Sequence, residues 1–152
     1  QEEQMVEKEE DLGPASIPSK IKPEEWRVSA YRSCEGGGTG REFTTNLQKE
    51  GDHPWNKWYD HNSGETWIQA DLKTPSVIKM IELKSANDCP ERDPSKITIS
   101  VKYKSDGKWE ETDVYDDVVY EKRYETLEFW VSASEPIHSI RVTVKENKSY
   151  KQ

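Results

Sequence analysis

Two stretches of this chain alternate apolar and polar residues one for one. Ile97, Ile99, Val101 and Tyr103 are separated by Thr98, Ser100 and Lys102, while Ile140, Val142 and Val144 alternate with Arg141, Thr143 and Lys145. A period of two sends apolar side chains to one face of an extended strand and polar ones to the other, so each strand must bury one face against a second layer. Shorter runs of the same kind occupy residues 67–72, 77–84, 109–114 and 126–131, bounded by Thr74-Pro75, Asp106-Gly107 and Glu135-Pro136. No segment carries a convincing 3.6-residue stripe. Many short strands with closely spaced turn signals predict an all-β sandwich or barrel.

Only 32% of the 152 residues are hydrophobic, but six Trp and seven Tyr supply large rings to bury. No apolar run is long enough to make a membrane-spanning helix. With 30 acidic against 22 basic residues, a net charge of -8 and no Lys/Arg block, the chain also lacks the electrostatic footprint of a nucleic-acid binder. The charge is uneven. Residues 1–12 hold six acids (Glu2, Glu3, Glu7, Glu9, Glu10, Asp11) against Lys8, and Pro14, Pro18 and Pro23 follow. Residues 1–22 are therefore expected to form a disordered or extended tail, with the β domain over 23–152. A first residue Gln is expected of a processed, secreted chain or of a trimmed one. Cys34 and Cys89 either close one bridge, worth about 4 kcal/mol for a loop of this length, or remain free thiols. The sequon Asn147-Lys148-Ser149 fits the secreted alternative.

If successive strands run antiparallel, every second connection falls at the same end. The short turns 73–76, 105–108 and 132–136 then lie at one end, and the longer segments 52–66, 86–96 and 115–124 gather at the other. The first long segment offers His53, Trp55, Asn56, Tyr59, Asp60 and His61; the second Asn87, Asp88, Cys89, Arg92 and Asp93; the third Tyr115, Asp116, Asp117, Tyr120, Lys122 and Arg123. Polar groups beside aromatic rings on scaffold-held loops are the material of a binding site.

Several of these stretches resemble the discoidin, or coagulation factor five/eight type C, superfamily, the galactose-binding-like domains that include carbohydrate-binding modules. Asn56-Lys57-Trp58-Tyr59-Asp60 and Trp67-Ile68-Gln69-Ala70-Asp71-Leu72 look like its Thr-Lys-Trp and Trp-Ile-Gln-Val-Asp-Leu segments. Ala86-Asn87-Asp88-Cys89-Pro90-Glu91-Arg92-Asp93-Pro94 is similar to its Ala-Asn-Asp-x-Pro-x-Arg-Asp-Pro turn, with Asp106-Gly107-Lys108-Trp109 and Ile140-Arg141-Val142-Thr143-Val144 in order after it. The resemblance covers roughly residues 26–145 and implies an eight-stranded jelly-roll sandwich whose loops at one end bind a ligand, in most members without catalysis. It also implies buried core rings at Trp58, Trp67 and Trp109. Many members hold a structural calcium near an Asp-Gly pair; here the region reads Lys49-Glu50-Gly51-Asp52, leaving Glu50 and Asp52 as weak calcium candidates.

Bland and sharp readings compete at most positions. Trp55 either stacks on a sugar or folds onto the sandwich. Arg92 with Asp93 either meets a ligand or braces its own turn, and Asn87 and Asp88 are turn formers as well as ligand groups. His53 with His61, and Asp113 with Asp116 and Asp117, read as solvated groups rather than metal sites. Gly36-Gly37-Gly38-Thr39-Gly40-Arg41 lacks the Gly-Lys-Ser/Thr ending of a phosphate loop. No nucleophile elbow, zinc-protease motif or activated Cys/His pair is present.

The reading is a non-catalytic, lectin-like module, secreted or at a cell surface, that binds a glycan or glycoprotein. Its site residues are His53, Trp55, Asn56, Tyr59, Asp60, Asn87, Arg92, Tyr115 and Tyr120, and it needs no cofactor unless calcium binds. The alternative is an intracellular protein-interaction domain in a larger complex. A binder of anionic phospholipid ranks behind both, because the loop 34–41 has no large apolar residue.

Overall fold

The computed structural model describes residues 20–31, 44–54, 56–60 and 64–149. Seven strands lie among them: β1 (Trp26–Ala30), β2 (Thr66–Ser76), β3 (Met80–Lys84), β4 (Pro94–Lys102), β5 (Glu110–Tyr115), β6 (Thr126–Trp130) and β7 (Ile137–Asn147). They form a five-stranded sheet in the order β1-β2-β7-β4-β5 and a two-stranded sheet β3-β6, with every pairing antiparallel. The expected sandwich is present, with seven described strands against the eight implied. Residues 73–76, expected as a turn, instead end β2: pairing with β7 slips between Asp71 and Ser76, where Pro75 has no amide hydrogen for a ladder. The preceding run begins its ladder only at Met80, since residues 77–79 serve as the connection.

The two most strictly alternating strands sit side by side. Ile97, Ile99 and Val101 of β4 are wholly buried and stand opposite Val144, Val142 and Ile140 of β7. Leu72 extends this layer, while Phe129 and Val131, with partly buried Ile81, Leu83 and Leu127, supply the facing one. Ile21 already packs against this core, ahead of the domain start expected at residue 23.

Trp67 and Trp109 are not in that core. Trp67 alternates with inward-facing Ile68 and so lies on the outer face of the large sheet, where the Arg141 guanidinium carbon sits 3.8 Å from the Trp67 ring centre and 4.2 Å from that of Trp109. Arg141 also donates to Gln69 Oε1 through Nε (3.1 Å) and Nη2 (2.7 Å). Trp58 is half-buried, and its indole Nε1 is buried without a hydrogen-bond acceptor.

Two carboxylates fasten the framework. Asp71 accepts from Ser139 Oγ (2.6 Å) and Gln69 Nε2 (2.9 Å). Asp113 joins the sheets by accepting from Ser132 N (2.8 Å), Ser132 Oγ (2.6 Å) and Thr112 Oγ1 (2.7 Å). Burial pushes both acids up, but these donors outweigh it and hold both below the usual carboxylate range.

Two outcomes follow from this framework. Arg141→Ala removes two ring contacts and two hydrogen bonds, with an expected loss of about 2 kcal/mol by urea denaturation and a smaller loss for Arg141→Lys. On acidification the unfolded chain protonates Asp71 and Asp113 before the native one does. Their contribution is therefore full above the ordinary carboxylate range of about 4 and lost as pH falls through their lower native values. Denaturation across a pH series should show this acid limb, flattened in Asp71→Asn and Asp113→Asn.

Candidate functional site

The strand registers place the start of β2, the end of β3, the start of β4, the end of β5, the start of β6 and the end of β7 at one end of the sandwich. The three long connections therefore meet there, as parity requires. The segment 85–93 is their hub. Lys57 Nζ reaches across to Asp88 Oδ1 at 2.9 Å, Ser149 N donates to Glu91 O at 3.3 Å, and Ser85 exchanges bonds with the third loop through Lys122 O and Glu125 N.

Asp93 is braced by Arg123, not by its neighbour Arg92. Arg123 forms a two-pronged pair with the Asp93 carboxylate and donates through Nη1 to the carbonyls of Ala86 (3.3 Å) and Asp88 (3.1 Å). The bond to Asp93 raises the guanidinium above its ordinary pKa. Arg92 instead lies exposed, its guanidinium carbon 4.6 Å from the Tyr59 ring centre. Lys57, Lys84, Lys96 and Arg123 are each tied to a carboxylate, whereas among the described residues Arg92 has none. Its forked donors remain available.

Other expected site residues divide into rim and framework. His53 is exposed on the first loop, and its carbonyl accepts from Asn56 N at 2.9 Å. Asn56 donates its side-chain amide to the carbonyls of Glu50 (3.0 Å) and Gly51 (3.3 Å), closing the loop on itself. Asp60 accepts from Thr66 Oγ1 at 2.7 Å and so anchors the loop to β2. Asn87 is half-buried, with its Oδ1 buried and unpartnered.

Tyr115 and Tyr120, expected to meet ligand, spend their hydroxyls on the framework. Tyr115 packs edge-on against Phe129 with centroids 5.1 Å apart and donates to Trp130 O at 2.6 Å. Tyr120 donates to Leu83 O at 3.0 Å, and burial, followed by the charges of Asp93 and Glu125, raises its phenol well above the ordinary value. Trp55, His61, Cys34 and the glycine run 36–40 lie outside the described residues, and Cys89 carries a free thiol.

Glu50 and Asp52 do not assemble a calcium cage. Asp52 is ion-paired with Lys84 at 2.6 Å, the Glu50 and Gly51 carbonyls accept from Asn56, and no set of three or more metal-ligating side chains gathers among the described residues. Calcium chemistry, which asks for six to eight converging oxygens, does not fit this donor set.

The loop end also concentrates backbone strain. Cys89 (φ +49°), Asp117 (+54°) and Tyr124 (+59°) are the positive-φ residues other than glycine among those described, and all three lie on the converging loops. Removing the brace should release this arrangement. Arg123→Ala is expected to cost about 2–3 kcal/mol in urea denaturation and to raise amide exchange selectively across 85–93 and 116–125.

No protein-family profile and no curated protein matches the sequence. Solved structures do. The chain is similar to CpGH89CBM32-5 from Clostridium perfringens, in complex with GalNAc-β-1,3-galactose (TM-score 0.68, 9% identity, 85% of this chain and 90% of that one). It is similar to the family 32 carbohydrate-binding module of C. perfringens NanJ, in complex with galactose (0.61, 14%, 84% and 87%). A further similar structure is reduced XRCC1 bound to the DNA polymerase β catalytic domain (0.58, 12%, 82% and 88%). Identities this low carry the fold. No helix among the described residues is long and apolar enough to cross a membrane.

Proposed function

We propose that this chain, which has the discoidin-like fold of the galactose-binding-like superfamily, is a non-catalytic module that binds glycans through the loops at one end of its sandwich. The observation that carries this reading is Arg92, an exposed guanidinium laid over Tyr59 with no carboxylate partner among the described residues. Its planar fork matches two adjacent hydroxyl oxygens, and it stands on a loop held from both sides by Lys57–Asp88 and Arg123–Asp93. His53 supplies a further polar contact at the rim, and Trp55 a ring for the apolar face of a sugar. The galactose and GalNAc-galactose complexes of two structural neighbours support the same ligand class. Direct bonds here replace water bonds of similar strength, so single-site affinity is weak and gains from repetition within a larger assembly.

A glycan array followed by calorimetry with galactose and GalNAc-β-1,3-galactose tests this. Arg92→Ala and Trp55→Ala should each lower affinity about tenfold, and Arg92→Ala should cost no more stability than the loss of one exposed ring contact. Retention of no glycan, or full binding by Arg92→Ala, rejects the reading.

The second reading, a protein-binding module in a larger complex, draws support from the neighbour bound to a polymerase domain. Intact mass with and without reduction separates the two settings. A Cys34–Cys89 bridge with a glycan at Asn147 belongs to a secreted or cell-surface protein, while two free thiols and a stoichiometric partner belong to an intracellular complex.

A further inference from the structure

The outward face of the small sheet is unlike the loop end. Ile81, Leu83, Leu127 and Phe129 turn inward, so the cross-strand pairs left facing out are Met80 with Trp130, Glu82 with Glu128, and Lys84 with Thr126. Trp130 is 63% exposed, more than any other large hydrophobic residue described. It is also held firmly: its carbonyl accepts from Tyr115 Oη at 2.6 Å, and the next amide, Val131 N, donates to Lys79 O at 2.9 Å. An indole on a fixed backbone loses only side-chain freedom on meeting a partner, and such rings anchor interfaces.

Beside it the electrostatics are unfavourable. Glu82 and Glu128 stand directly opposite each other, an arrangement that destabilises a strand pair. Lys84, one step along, is drawn away to Asp52 at 2.6 Å. Lys20 reaches Glu82 at 3.1 Å from a side chain that remains 80% exposed, and among the described residues Glu128 has no ion-pair partner. The face thus presents an indole, a thioether and two facing carboxylates, of which Glu82 is met by the exposed Lys20 and Glu128 has no cation among the described residues.

We propose that this face docks an extended, basic polypeptide segment of a partner protein. The alkyl stem of a Lys or Arg would lie over Trp130 and Met80, with its charged head on Glu128, beside the Lys20–Glu82 pair. Charge complementarity selects this occupant. A second copy would bring the same acids on a chain of net charge -8, and residues 1–12 of this chain carry six acids against one lysine. The Met80–Trp130 pair lies at the opposite end of the small sheet from Lys84 and Thr126, where the ligand loops continue. This inference stands independently of the glycan reading.

The test uses the full 15N-labelled chain and two nine-residue probes, one alternating Lys with Val and one alternating Glu with Val. The Lys peptide should shift the Trp130 indole N–H and the amides of 80–84 and 126–130. Binding should weaken as salt rises and fall about tenfold in Trp130→Ala and in Glu128→Gln. If Trp130→Ala lowers stability, the exposed Glu128→Gln carries the comparison. Absence of shifts, equal binding of the Glu peptide, shifts confined to the ligand loops, or self-association abolished by Trp130→Ala would each overturn the proposal.

Discussion

The register of β4 against β7 determines where everything else in this molecule lies. Ile97, Ile99 and Val101 face Val144, Val142 and Ile140, and a slip of one residue would turn either set out of the core while pointing Thr98, Ser100, Arg141 and Thr143 into it. That penalty fixes the central pair, and β2 and β5 add to its two edges. With the register set, Pro94, Asn147, Thr66 and Tyr115 come to the same end, and the long loops have no other place to meet.

Three arginines show how surroundings divide one side-chain chemistry into separate tasks. Arg141 is clamped between two indoles and bonded to Gln69, and burial lowers its pKa, so it acts as a packing element of the outer sheet face. Arg123 satisfies one carboxylate and two carbonyls and binds two loops together. Arg92, with its neighbour's carboxylate already taken by Arg123, is left over a tyrosine ring. The availability of Arg92 is thus a consequence of where Arg123 sits.

Alternation and turn residues made the strands legible, and antiparallel parity made the gathering of the long loops legible. What they could not give is which polar groups are consumed internally. Tyr115 bonds a carbonyl 15 residues away and Tyr120 one 37 away, and the Arg123–Asp93 pair spans 30 residues, separations at which no local pattern records the partner. The outward setting of Trp67 is legible: it alternates with Ile68 and Ala70, which pack inward, so the same period of two that marks the strand places the ring outside. The family expectation of a buried ring runs against that signal. At Asn56 the amide bonds two backbone carbonyls of the same loop, a use that its turn-forming character allows but does not specify.

The strained residues complete the account of the ligand end. A left-handed Tyr124 or Cys89 costs about 1–3 kcal/mol relative to a relaxed backbone and persists only where neighbours over-determine it. Here Tyr124 N donates to Ala86 O, Glu125 Oε1 accepts from Glu121 N at 2.6 Å and Lys122 N at 3.3 Å, and Arg92 N returns to Cys89 O at 2.9 Å. The bonds that impose the strain also fix the backbone carrying Arg92. A shallow site makes few contacts and cannot offset the cost of ordering mobile loops when ligand arrives, so that ordering has to be complete beforehand. On the proposed glycan reading, the energy already committed to holding segments 85–93 and 116–125 in place is what would let so small a surface select a ligand.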